Sequence, residues 1–253
     1  GKHVATRFVT APGKTALVTS DPHHRPDAIL TDALRCHGQP DALMPMAAFG
    51  LFRQPHYLHW ETPFGTSDAP DARAYDATAA DGSVTHRLMD ASYLVEPEPG
   101  LWLLMIDANV FEPRPGRSDP TRKKAFLDPS EAGWNAVLRV KPFLLPWIAD
   151  VTARAAALGK TLVTVSHYPV LDPFQDDAGS DRVLFGATAI ARRTPTADVG
   201  QALFAAGLQW HAGGHLHVNA TNRMNVGARS LTDLALPSLV AFPAAFKVLH
   251  ATP

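Results

Sequence analysis

An α/β fold with a mainly parallel sheet is what this 253-residue sequence predicts. Three observations carry the prediction. Short apolar runs of strand length, at residues 15–19, 101–106 and 161–165, alternate with segments of helical spacing. The run Leu101-Trp102-Leu103-Leu104-Met105-Ile106 is unbroken, which suits a strand covered on both faces. Residues of metal-ligand type, namely Asp21 and His23, His167, and His215 with His217, follow predicted strands directly. Open α/β sheets collect their ligands at the carboxyl ends of strands.

The elements follow in order. Residues 15–19 (Thr-Ala-Leu-Val-Thr) form a short buried strand after the turn signal Pro12-Gly13, and the strand ends at Ser20-Asp21-Pro22-His23-His24. Ile29, Leu30 and Leu34 have helical spacing within residues 26–34. Residues 41–46 read as another strand, with Pro45 confining it to an edge or a short piece. From about residue 49 to 90 the pattern is poor, with scattered aromatics and prolines, and this stretch reads as a long irregular excursion containing hairpin pieces.

Order returns with a strand at residues 92–95, a turn at 97–100 and the apolar strand 101–106, which ends at Asp107-Ala108-Asn109. Residues 112–129 read as a polar loop carrying Arg114, Arg117, Arg122, Lys123 and Lys124. A helix lies within 142–158, with Trp147, Ile148, Val151, Ala155 and Leu158 near one face and Gly159 placed to stop it. The next strand, 161–165, ends at Ser166-His167-Tyr168-Pro169. Thr196 is placed to cap a helix through Val199, Leu203 and Phe204 that stops at Gly207. A strand then runs into His215, and residues 230–249 read as two strands around Pro243.

Length and composition bound the function. A chain of this size buries a substantial core and fits a single domain, residues 1–253. A formal net charge of −1 gives no basic excess of the kind that nucleic acid attracts, so no nucleic-acid partner is expected. No apolar run approaches the roughly 20 residues that span a bilayer, so no membrane partner is expected. Cys36 is the sole cysteine, so there is no internal disulfide. The first residues show no apolar signal region, which points to the cytoplasm. Gly1 without a preceding Met fits a processed or recombinant product.

The densest chemistry lies at residues 208–217, Leu-Gln-Trp-His-Ala-Gly-Gly-His-Leu-His. In an extended segment a His-x-His pair puts both imidazoles on one side of the backbone. Neutral imidazoles on a rigid strand end are what divalent transition metals accept. With Asp21, His23 and His167 at two other strand ends, three groups of ligand-type side chains converge on one edge of the expected sheet.

These residues resemble the calcineurin-like metallophosphoesterases. Residues 163–169, Val-Thr-Val-Ser-His-Tyr-Pro, resemble the family's strand-His-x-Pro motif, and Gly214-His215-Leu216-His217 its Gly-His-x-His motif, in the right order. Residues 101–109 resemble the strand before these motifs in bacterial cyclic-nucleotide-phosphodiesterase-like members, and residues 231–243 the strands after them. Ser20-Asp21-Pro22-His23 resembles the opening Asp-x-His motif; in a rival alignment, Asp21-Pro22-His23-His24 is set against Gly-Asn-His-Asp and makes His23 the catalytic acid.

The resemblance implies a four-layer α/β sandwich and metal-dependent hydrolysis of a small phosphorylated substrate, a phosphodiester above all. It implies two divalent transition metals (manganese, iron or zinc), with Asp21, His23, His167, His215 and His217 as ligands. Two close divalent ions lower the pKa of a bridging water and clamp the attacking and leaving oxygens at phosphorus. The family's Gly-Asp and Gly-Asn-His motifs have no counterpart here, and Asp68 and Asp107 are the candidates for the bridging carboxylate. The alternatives are a degenerate relative that serves as a binding module, and a shortened piece of a longer protein.

Overall fold

The computed structural model describes residues 7–9, 17–19, 29–30, 43–120, 122–127, 129–174, 193–241 and 244–250. Its centre is a seven-stranded sheet. The strands are β4 (His59–Glu61), β7 (Tyr93–Glu98), β8 (Leu101–Ile106), β9 (Thr161–Ser166), β10 (Trp210–Gly213), β11 (Ala220–Val226) and β12 (Arg229–Ala235). Their spatial order is β11-β12-β10-β9-β8-β7-β4. The four central strands β12, β10, β9 and β8 are parallel to one another. The flanking pairs β11–β12, β7–β8 and β4–β7 are antiparallel. The fold is therefore mixed α/β, with a parallel centre and antiparallel flanks.

Among the described residues three α-helices accompany the sheet: α1 (Pro129–Val140), α2 (Leu144–Ala157) and α3 (Ala197–Ala205). Helix α3 packs against both α1 and α2, with α2 against β9 and α3 against β12. Trp147, Ile148, Val151 and Ala155 of α2 are buried as their spacing requires, whereas Leu158 is 61% exposed because the helix has ended before it. Along β8, Trp102, Leu104 and Ile106 are buried and the alternate residues are only half-buried. The strand thus has one well-covered face rather than the two its unbroken apolar run predicts. Each fully buried Leu or Ile side chain in this core contributes about 1.5–3 kcal/mol.

Several local expectations are corrected. The strand expected at 15–19 appears as β2 (Leu17–Thr19), paired antiparallel with β1 (Arg7–Val9) in a separate three-stranded sheet with β3 (Ile29–Leu30). It therefore does not belong to the parallel sheet. Ile29 and Leu30, expected in a helix, pair instead with Phe8 and Arg7. The strand expected at 41–46 gives way to a 3-10 helix, Met44–Phe49, because Pro45 fixes a helical φ at its first turn.

Residues 74–78 and 85–89 form a hairpin of β5 (Ala74–Thr78) and β6 (Thr85–Met89). Helix α1 was not foreseen, since Pro129 and Gly133 make its sequence resemble a loop. Gly133 interrupts it at φ 47° and ψ −147°, and Trp134 to Val140 follow on the far side of that break. Of the two strands expected at 230–249 the first is β12, preceded by the unforeseen β11. Residues 244–250 form no strand, and Pro243 lies outside the described residues. No helix among the described residues is long and apolar enough to cross a membrane.

Candidate functional site

The strand register places the ends of the parallel strands side by side. Ile106 is opposite Ser166, Ala212 opposite Val165, and Gly213 opposite Ala235. The segments that follow each strand, beginning at Asp107, His167, Gly214 and Leu236, therefore emerge along one edge. His167 accepts a backbone bond from Gly214 N at 2.9 Å through its carbonyl, and Leu236 N donates to the Gly213 carbonyl at 2.7 Å. Gly213 has no room for a side chain, because a Cβ there would stand 2.7 Å from the carbonyl oxygen of Tyr168. The glycine lets the two turns interlock.

On this edge His167 Nε2 lies 3.0 Å from His215 Nδ1. The ring centroids are 4.8 Å apart, and the buried Tyr168 ring lies 5.0 Å from that of His167 and 4.5 Å from that of His215. Tyr168 Oη donates to Asn109 Oδ1 at 3.3 Å, which ties the end of β8 to the cluster. His167 stays partly exposed, but the partial desolvation of its ring lowers its pKa, and the charge of His217 lowers it further. The neutral imidazole, the form that coordinates metal, is thereby favoured.

The His-x-His geometry differs from the one expected. Strand β10 ends at Gly213, and His215 and His217 have φ of 63° and 57°. Neither is extended. Left-handed backbone at non-glycine residues costs of the order of 1–3 kcal/mol each and clusters at functional sites. Among the described residues no three His, Cys, Asp or Glu side chains form a group that could hold a metal ion. His167 and His215 are brought together, with His217 near enough for its charge to act on His167. Asp21 and His23 lie outside the described residues, as do His24 and Arg182.

The two imidazole nitrogens satisfy a chelating distance. Nitrogens sharing one ion at about 2.1 Å stand roughly 3.0–3.4 Å apart. Asp107, a candidate for the bridging carboxylate, is engaged elsewhere. Its carboxylate accepts from Lys141 Nζ at 2.9 Å, from Ala91 N at 3.1 Å and from Asn109 N at 3.1 Å. Asp68 is exposed, and its charge acts on Arg73. Arg114 folds back on its own loop, donating to the Phe126 carbonyl at 2.9 Å.

Beneath the cluster lies a network that the sequence reading missed. His211 and Asp233 face each other in register on β10 and β12, with Nδ1 and Oδ1 2.8 Å apart. His211 Nε2 lies 2.8 Å from Ser166 Oγ. This has the form of a nucleophile, a base and an orienting acid. Yet Ser166 is buried, and its single proton is donated to the Tyr168 carbonyl at 2.8 Å. The hydroxyl oxygen also accepts from Trp134 Nε1 at 3.1 Å. The signal for this network was a lone acid inside the apolar strand Leu231-Thr232-Asp233-Leu234-Ala235, since a buried carboxylate requires a partner.

No protein-family profile matches the chain, and no curated protein matches it.

Proposed function

We propose that the chain is a metal-dependent phosphoesterase acting on a small phosphorylated substrate, a phosphodiester above all. In this reading the mixed sheet and its helices belong to a four-layer sandwich of the calcineurin-like type. His167, His215 and His217, with Asp21 and His23, hold two divalent transition metals, namely manganese, iron or zinc. The observation that carries the reading is the pair of imidazole nitrogens 3.0 Å apart at the ends of adjacent parallel strands. The left-handed backbone at His215 and His217 supports it, as strain persists where the surroundings over-determine it.

Such ions, when bound, supply an activated hydroxide and polarise a phosphoryl oxygen. The chain's own part is to present neutral imidazoles from interlocked turns and to fix their spacing. Tyr168 packs against both rings.

Metal content after purification without chelator, measured by plasma mass spectrometry, tests the reading. Near two transition metals per chain are expected, with hydrolysis of bis(4-nitrophenyl) phosphate in added manganese. His217→Ala should abolish that hydrolysis. Near-zero metal after manganese soaking, or full activity in the variant, would overturn the assignment.

A second reading has one observation in its favour. Asp107 is committed to Lys141, so a bridging carboxylate must come from elsewhere. On this reading the chain is a degenerate relative that acts as a binding module, and His217→Ala leaves its partner binding unchanged.

A further inference from the structure

The buried network under the histidine pair plays no part in the hydrolysis proposed above, yet both of its ends bond to the backbone of the segment that carries His167. Asp233 is fully buried on β12. Its Oδ1 takes the bond from His211 Nδ1, and its Oδ2 accepts from Val170 N and Leu171 N, each at 2.9 Å. At the other end of the chain of bonds, Ser166 Oγ holds the Tyr168 carbonyl. The backbone is thus clasped immediately before and shortly after His167, with Pro169 stiffening the span between the clasps.

Hydrogen-bond accounting shows how tightly the network is specified. The Ser166 hydroxyl donates to the Tyr168 carbonyl, and its oxygen lies 2.8 Å from His211 Nε2. The contact between His211 Nδ1 and Asp233 Oδ1, at 2.8 Å, links this hydroxyl to the carboxylate. Asp233 accepts three bonds, and an asparagine in its place would turn an amide N–H₂ toward one or more of the same donors. A residue that merely filled space would not need this arrangement. Trp134 adds its indole N–H to the Ser166 oxygen, and Gly133 just before it approaches the Tyr168 ring, where a Cβ would stand 3.3 Å away. Helix α1 is therefore seated on the same segment.

We propose that Ser166, His211 and Asp233 form a positioning relay that holds the His167 turn in register with the His215 turn, so that the two imidazoles meet a divalent transition metal at a fixed spacing. The inference rests on the metal-binding reading. The three residues do not touch the ion; they act through the backbone of residues 166–171 and through the Gly214 bond to the His167 carbonyl. Outer partners that orient metal ligands typically change affinity 10–100-fold when removed.

The test is cobalt(II) titration of the full chain, read as a dissociation constant and a visible d–d spectrum, with near-ultraviolet circular dichroism to verify packing. Asp233→Asn and Ser166→Ala should bind cobalt some 10–100-fold more weakly, with an altered spectrum, and Ser166→Thr should recover most of the affinity. Wild-type affinity and spectrum in both variants would overturn the relay alone. A wild-type chain that takes up no cobalt would overturn the metal reading and the relay together.

Wild-type protein labelled with ¹⁵N histidine provides a readout that needs no variant to fold. The buried His211 ring signals should shift when zinc is added, and unmoved signals would overturn the relay. A fluorophosphonate probe should leave Ser166 unlabelled; labelling would overturn the relay in favour of a nucleophilic serine.

Discussion

His167 Nε2 and His215 Nδ1 stand 3.0 Å apart, and a hydrogen bond between two imidazole nitrogens has room for only one proton. Partial desolvation lowers the pKa of the still exposed His167 first, and the charge of His217 adds to that, so the neutral ring is favoured. The unfolded chain, with a histidine near the ordinary value of about 6.5, binds that proton more readily. Stability carried by this group is present above about pH 6.5 and is lost as pH falls through the lowered folded value. Urea denaturation of chelator-treated protein from pH 7.5 to 5 should show this loss, and His167→Gln should flatten it. An unchanged slope in the variant would refute the assignment.

Lys141 makes a second ionic cluster at the end of β8, in which Lys141 and Asp90 are fully buried and Asp107 nearly so. Its Nζ lies 2.8 Å from Asp90 Oδ2 and 2.9 Å from Asp107 Oδ2, and 5.4 Å from the centre of the Tyr75 ring. Burial disfavours the ammonium, but Asp107 and Asp90 outweigh it and hold the group above its ordinary value. Lys141→Met leaves buried carboxylate behind and should cost about 3–5 kcal/mol. Adding Asp90→Asn should restore part of that loss. Chemical denaturation of the single and double variants measures both, and a loss below about 1 kcal/mol for Lys141→Met would contradict the cluster's role.

Gly213→Ala puts a methyl carbon 2.7 Å from the Tyr168 carbonyl oxygen. Both atoms belong to turns of the candidate site, so neither can yield alone. Overpacking of this kind costs about 1–3 kcal/mol. We expect a lower melting temperature together with weaker cobalt binding. Unchanged values of both would show that the turns are not interlocked.

Arg73 is fully buried, with its guanidinium 5.2 Å from the Phe52 ring centre and 5.1 Å from that of Trp60. It donates to the Leu51 carbonyl, while its Nε and Nη1 have no hydrogen-bond partner among the described residues. Such a charge adds little net stability, since its desolvation offsets its contacts. Arg73→Met should stay within about 1.5 kcal/mol of wild type in urea denaturation, whereas Arg73→Ala should lose more because it opens a cavity. A larger loss for methionine than for alanine would contradict this account.

Local pattern was enough for β8, β9, α2 and α3, because each is a run whose own spacing defines it. It was not enough for α1, where Pro129 and Gly133 disguise a helix held in place by Trp134 against Ser166. The same limit appears at residues 44–49, where a strand was expected and Pro45 instead opens a 3-10 turn. Within the candidate site, His167 and the His215 segment were legible as residues that follow strands. Their left-handed backbone was not, since His-x-His after an apolar run reads as extended.

By itself the sequence determined which segments are strands and helices at the centre of the fold, and that histidines follow two of those strands. Those are local properties of spacing and side-chain chemistry. Tertiary structure alone decided that β2 leaves the parallel sheet, that Asp107 is spent on Lys141, and that His211 meets Asp233 across 22 residues of chain. Strand order and register are set by which apolar faces can be buried together, and no short window of sequence contains both partners of such a contact.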